Sequence, residues 1–273
     1  MNGIAARSLD YLGRRMRFER NELVLDQDRL LKLEARVNGK KCLMVVDTAC
    51  ASTTLDLAFA KDLELTQRSG PSAFTLGGNI STQISRLQSI QCCGLESKNC
   101  EALVADLEKL NHTLRSLGAR PVAGILGMNF LKMHKAILDY YDLKLYLLPF
   151  EVQFENRLQG EWQCAYDENL GKTASREKRE KIRLFVKGQT LSIQNGDELR
   201  KWGFRISQMV PYYGIDLIEA GRGQEGGKSA GILSIVSDDE FYMTANLEPN
   251  GKRPTEFVLN GGKNLVLRLV RKK

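Results

Sequence analysis

Between residues 30 and 46 lie two strand-like runs of apolar and polar positions, LLKLEARV and KKCLMVV, separated by Asn38-Gly39. That dipeptide tolerates the positive φ values of a two-residue type I′ turn, so the pattern predicts a β-hairpin. The second run ends in an apolar stretch over 43–46, followed at once by Asp47-Thr48-Ala49-Cys50-Ala51-Ser52. A buried strand thereby delivers a carboxylate into a turn of small residues.

Residues 55–63 have helical spacing, with Leu55, Ala58, Phe59 and Asp62 in phase. Residues 72–87 read as a second hairpin with its tip at Gly77-Gly78-Asn79, flanked by Phe74 and Leu76 before it and by Ile80, Thr82 and Ile84 after it. Further along, 100–105 predicts a strand, 108–117 a helix, and 123–127 a buried strand entering a helical turn at 128–133. Residues 136–140 and 143–148 predict a closing hairpin. The periodicity weakens at 149–157, and short strands separated by Gly- and Asn-rich turns follow. We expect a mainly β protein with one domain over 20–150 and another over 157–273.

Composition narrows the classes. An apolar fraction of 42% and a charged fraction of 27% fit a soluble globular chain. The formal charge of +7 invites a nucleic-acid reading, but the basic residues are interleaved with acidic ones. The exceptions are a broken basic run over 172–183 and the final Arg271-Lys272-Lys273, so nucleic acid is not an expected partner. No run approaches the ~20 apolar residues that cross a bilayer, and the beginning of the chain lacks the apolar core of a signal peptide. The expected location is the cytoplasm, with export open if a targeting segment precedes Met1.

The cysteines, Cys42, Cys50, Cys92, Cys93, Cys100 and Cys164, show no C-x-x-C spacing, and the chain holds 2 histidines. Neither a metal nor another cofactor is expected. His112 and His134 read as surface or capping residues. The run from Gly221 to Ser229 imitates a phosphate-binding loop, but its first glycine would have to stand at Arg222, and strand rather than helix is expected after it.

Hydrolysis by an aspartic mechanism needs two carboxylates that share a proton, one activating water while the other hydrogen-bonds the scissile carbonyl. Asp47 is the candidate. Asp139, at a strand end, reads instead as satisfying local backbone donors, and Asp216 as an outward-facing strand residue. The order of the Val45-to-Ser52 turn, the Gly77-Gly78 hairpin, Gly124-Ile125-Leu126-Gly127-Met128-Asn129-Phe130-Leu131 and the closing hairpin resembles the retropepsin-like aspartic proteases over residues 22–148. The resemblance implies Asp47 as the catalytic aspartate, Thr48 as the residue that locks it and Ala49 at the third position of the turn. It makes the 74–84 hairpin, with Phe74, Leu76, Gly77, Gly78 and Asn79, the flap over a peptide or protein substrate. Because the chain has one such turn, it also implies a homodimer with two copies of Asp47 facing each other. Ala49 departs from the family's usual glycine. If the turn demanded a positive φ, alanine there would cost about 1 kcal/mol, and the fold would then serve as an inactive dimerisation or binding platform.

In the second half, Trp162 in an opening Gly-x-Trp segment and Arg268 or Arg271 in the last strand resemble the tryptophan–arginine pair of lipocalin-like barrels. The segment 158–273 looks like a small lipocalin-like domain found in planctomycete-type bacterial proteins. A barrel that binds a ligand or partner and a barrel filled by its own side chains both remain open.

Overall fold

The computed structural model of the chain describes residues 11, 13–75, 78–165, 181–208, 212–219, 228–246, 251–257 and 264–272. Strand predominates among them, and the chain divides into two compact units, Met1–Phe150 and Glu151–Lys273.

The first unit begins with β1 (Glu19–Leu25), β2 (Leu31–Val37) and β3 (Lys40–Val46). The β2–β3 turn has Asn38 at φ 48° and Gly39 at φ 82°, the left-handed values its tight geometry requires. Asn38 Oδ1 also accepts hydrogen bonds from the amides of Gln88 and Ser89, tying the turn to a distant strand. Next come β4 (Thr54–Asp56) and α1 (Leu57–Asp62). Helical spacing over 55–63 thus overstates the helix: its first residues are a strand, held by pairing on both sides, and neighbouring strands override local propensity. The unit continues through β5 (Gln67–Ser69), β6 (Ala73–Thr75), β7 (Gly78–Ile80), β8 (Gln83–Cys92), β9 (Leu95–Ala105), α2 (Glu108–Ser116), β10 (Gly124–Leu126), α3 (Met128–Met133), β11 (Ile137–Asp139) and β12 (Lys144–Leu147).

Strands β2, β3, β10, β4, β9 and β8 pair in that order, and β8 returns to β2, so they close a six-strand ring. Leu33, Met44, Leu55, Leu87 and Leu126 fill it, none more than 1% exposed. The crossing that matters for the site is β10, which lies parallel to β3 on one side and antiparallel to β4 on the other. A segment from far along the chain is therefore threaded between the two strands that flank the Asp47 turn. Gly124 permits it: a Cβ there would stand 2.4 Å from the Thr54 carbonyl oxygen.

One buried charge breaks the alternation of β2. Lys32 is fully buried, with Nζ 3.0 Å from Asp26, 2.5 Å from Asp28 and 3.2 Å from the Arg120 carbonyl. Arg120 in turn clamps Asp26 through Nε and Nη2, both at 3.2 Å. Paired charges satisfy one another here, as burial demands. The Arg120 and Lys32 contacts hold the Asp26 carboxyl down at about 2.

Helix α4 (Phe150–Leu158) begins at the boundary between the units and occupies the stretch where periodicity weakens, so a helix stands where the sequence put the domain boundary. Then β13 (Gly160–Ala165), β14 (Ile182–Lys187), β15 (Thr190–Asn195), β16 (Glu198–Gln208), β17 (Tyr213–Glu219), β18 (Lys228–Ser237), β19 (Glu240–Asn246) and β20 (Asn264–Arg271) pair each with the next. Pairing of β20 with β13 closes an antiparallel eight-strand barrel. At the closure the Arg271 guanidinium lies 4.2 Å from the Trp162 ring centroid, which selects Arg271 over Arg268 from the two expected partners. Arg268 pairs instead with Glu240. Trp162 Nε1 donates to the Leu158 carbonyl at 2.7 Å, and its ring meets Phe241 edge-on. Lys228 and Ser229, the end of the phosphate-loop imitation, begin strand β18, while 221–227 lie outside the described residues, as does most of the basic run over 172–183.

Candidate active site

Strand β3 is apolar and buried through Met44, Val45 and Val46, and then the chain turns. The amide of Asp47 donates to the Leu126 carbonyl at 3.2 Å, so β10 holds the aspartate's backbone directly. The Ala49 amide donates to Asp47 Oδ1 at 2.8 Å, an Asx-type turn that fixes one carboxylate oxygen. The other oxygen has no partner among the described residues, and Asp47 is half-buried. Ala49 is not among the residues with positive φ. The strain that a glycine would have relieved is absent, and alanine fits the turn.

Beneath the turn, Asn129 Oδ1 accepts from the Thr53 amide at 2.7 Å and from the Thr53 hydroxyl at 2.9 Å, while the Gly127 amide donates to Thr53 Oγ1 at 3.2 Å. Two backbone bonds complete the lock, Met128 to the Cys50 carbonyl at 2.7 Å and Asn129 to the Ala51 carbonyl at 3.1 Å. Contact is so close that a Cβ on Gly127 would meet the Ser52 carbonyl carbon at 2.5 Å. The turn is thus determined by residues remote in sequence, as a site built for a fixed carboxylate requires. Thr53 and Asn129 were missed in the sequence as positioning residues; the one signal was a polar Asn inside an otherwise apolar run after Gly127.

Thr48, expected to lock the carboxylate, is exposed, and its hydroxyl has no partner among the described residues of this one chain. It borders a groove of about 370 Å³ lined by Val46, Met128, Leu131 and Leu138, with Lys132 and Lys135 also in the lining. Asp139 Oδ1 accepts from the amides of Tyr141 and Asp142, both at 3.0 Å, so it is occupied by its own turn. Asp216 lies in the second unit and pairs with Arg253.

In the β6–β7 hairpin, expected to be a flap, Thr75 pairs with Gly78, Phe74 with Asn79 and Ala73 with Ile80. Gly78 and Asn79 therefore belong to the returning arm rather than to the tip, and Leu76 and Gly77 lie outside the described residues. The hairpin's base is pinned where the Gly70 amide donates to the Thr82 carbonyl at 3.1 Å. His134, read as a surface or capping residue, does follow α3 as its C-cap but is fully buried, with its ring against Phe130 and its carbonyl accepting from the Leu148 amide. Its Nδ1 lies 3.2 Å from the Leu148 carbonyl and its Nε2 has no partner among the described residues; burial lowers its pKa. Burial likewise pushes the Cys42 thiol up to about 11 and Cys92 up to about 12, and neither is placed to act as a nucleophile. Among the described residues no group of side chains has the make-up of a metal site, and no helix is long and apolar enough to cross a membrane.

The six-strand ring thus presents Asp47 from a turn locked by residues remote in sequence. Residues 33–130 match the family model described as aspartyl protease. Among solved structures, the chain is similar to a retropepsin-like aspartic protease from Rickettsia conorii, at 21% identity over 48% of this chain and 90% of that one, with a TM-score of 0.37. It is also similar to the EIAV protease complexed with the inhibitor HBY-793, at 22% identity over 42% of this chain and 98% of that one, with a TM-score of 0.33. No curated protein matches the chain.

Proposed function

We propose that this chain is an aspartic endopeptidase that works as a homodimer, cleaving extended peptides with a water held between two copies of Asp47. The observation that carries the reading is the Asp47 carboxylate itself: one oxygen is fixed by the Ala49 amide, the other has no partner among the described residues, and the turn is locked from below by Thr53, Gly127 and Asn129. The match of residues 33–130 to an aspartyl protease family supports it. A single carboxylate cannot share a proton with itself, and the rival Asp139 is capped by local amides, so the second carboxylate comes from a second copy. The unpartnered Thr48 hydroxyl and the apolar groove beside it are the surface that second copy would cover.

In this mechanism one Asp47 is ionised and takes a proton from the water as it attacks the scissile carbonyl carbon. The other is protonated and donates to the carbonyl oxygen, and the proton is returned to the leaving amine as the C–N bond breaks. The β6–β7 hairpin covers the substrate and pairs with its main chain. We assign the second unit as a lipocalin-like barrel of structural role. Its inward positions, among them Trp162, Leu184, Phe204, Leu233 and Phe241, are almost wholly buried, which favours a filled interior over a ligand chamber.

The test is cleavage of a diverse peptide mixture between pH 3 and 7 (a range of about four units, spanning ordinary carboxylate titration), read by mass spectrometry beside Asp47→Asn. Cleavage is expected from the wild type and lost in the variant. A strictly monomeric mass by light scattering with cleavage retained removes the dimer.

A further inference from the structure

Helix α2 carries a polar residue at one of its two buried positions. Asn111 is 5% exposed, and asparagine is a poor helix former because its side chain competes for backbone groups. Here the carboxamide reaches out of the helix to another segment. Its Oδ1 accepts from the Val122 amide at 2.8 Å and its Nδ2 donates to the Val122 carbonyl at 3.0 Å. One side chain thus holds both backbone groups of one residue, as a neighbouring strand would. Val122 is 4% exposed, so these groups need partners within the protein.

From Val122 the chain runs directly into β10, the strand that holds the aspartate. The Ala123 amide donates to the Leu43 carbonyl and the Ala123 carbonyl accepts from the Asp56 amide, both at 2.8 Å. Further along, Leu126 is paired with Val46 and its carbonyl accepts from the Asp47 amide at 3.2 Å. The start of α2 is tied to the same neighbourhood, because Asp56 Oδ1 accepts from the Leu107 amide at 3.0 Å. Packing repeats the link: Leu114 of α2 shares a buried cluster with Val122 and with Val45 of β3. A slip of β10 by one residue would carry the Leu126 carbonyl about 3.3 Å along the sheet. The Asp47 amide would then lose its acceptor.

We infer that Asn111 is a positioning residue for the active site: it fixes β10 along its length and, through the Leu126 carbonyl, fixes Asp47. The inference rests on the peptide-cleaving reading of Asp47 for its effect on turnover. Its effect on the turn is independent of that reading.

The experiment uses the full chain carrying Asn111→Ala, beside Ile90→Ala as a control that removes core volume from β8, across the ring from β10. Amide hydrogen exchange is read by NMR under conditions where melting profiles show each variant folded. In Asn111→Ala the Asp47 amide is expected to exchange on the order of tenfold faster, relative to the amides of the β8–β9 ladder. In Ile90→Ala it should keep pace with that ladder. Asn111→Asp keeps the acceptor for the Val122 amide and loses the donor to its carbonyl, so it should fall between wild type and Asn111→Ala and decides the matter if Asn111→Ala does not fold. In peptide cleavage Asn111→Ala should lower kcat on the order of tenfold with KM changed less than about twofold. Exchange at Asp47 that rises no more than in the β8–β9 ladder, or a kcat loss that Ile90→Ala reproduces, overturns the positioning role. Absence of cleavage by the wild-type chain sinks the protease reading instead, and the exchange result still decides whether Asn111 holds the turn.

Discussion

Asn129 holds Thr53 twice through a single oxygen, accepting from its amide at 2.7 Å and from its hydroxyl at 2.9 Å. The two residues are 76 positions apart, and the bond joins the turn that presents Asp47 to the first turn of α3. Thr53 is almost fully buried, whereas Asn129 reaches it from an exposed position. Replacing Asn129 with Ala leaves a buried amide without its acceptor, at a cost of about 1–3 kcal/mol. Urea denaturation should show this as a lowered midpoint with unchanged slope, and peptide cleavage should fall with it because the Asp47 turn loosens.

Ala49 needs no relief from strain, since its φ is not positive. Ala49→Gly is therefore expected to lower stability by about 0.5–1 kcal/mol, through greater freedom of the unfolded chain, and to leave the cleavage rate nearly unchanged. A large gain in rate from this substitution would mean that the methyl group itself obstructs the paired carboxylates.

His134 sets a limit on the acid side. Burial lowers its pKa in the folded state, so the unfolded chain takes up the proton first as pH falls. Stability is then full above the ordinary histidine value, near 6.5, and declines below it until the folded pKa is reached. His134→Gln should flatten that decline in thermal melts between pH 7 and 5 (about two units, straddling the ordinary histidine value). If both proteins lose stability in parallel, other groups carry the acid sensitivity. Asp26 adds a separate loss at lower pH: the contribution of its depressed carboxyl is full above the ordinary value of 3.8 and is lost as pH falls from there to about 2.

In the barrel, Arg271 covers the Trp162 ring and donates to the carbonyls of Gln159, Arg157 and Asp238. Arg271→Ala removes a cation–π contact and several charge-assisted bonds at the seam between β13 and β20. A loss of about 2 kcal/mol is expected, read as a lower melting temperature by tryptophan fluorescence. Arg268→Ala, which breaks a partly exposed pair with Glu240, should cost less than about 1 kcal/mol.

What could be read in the sequence was what local chemistry decides. Asn38-Gly39 set the hairpin, the apolar run before Asp47 set a buried strand, and two glycines around Ile125-Leu126 marked a segment that must approach its neighbours closely. Even the Trp162–Arg271 pair was within reach, because tryptophan in a first strand and arginine in a last one are informative once a barrel is supposed. The misreadings lie where distant partners decide. Leu55 has helical spacing with Ala58 and Phe59, yet pairing with β9 and β10 makes it strand. Lys32 falls at a polar position of an alternating run but is buried, because Asp26 and Asp28 turn back over it. Thr53 and Asn129 carry no local sign that they meet. Helix α4 arises where the pattern weakens, because its apolar positions Val152, Phe154 and Leu158 are too few to stand out in sequence.

The threading of β10 between β3 and β4 also orders events in time. As the chain leaves the ribosome, the β2–β3 hairpin can form early from local contacts, but the amide of Asp47 has no Leu126 carbonyl to reach until the next 79 residues have been made. The turn then closes last, around a strand inserted from outside. A nascent or partly unfolded chain would thus hold its aspartate unpositioned, and hydrolytic competence would arrive only with the completed ring.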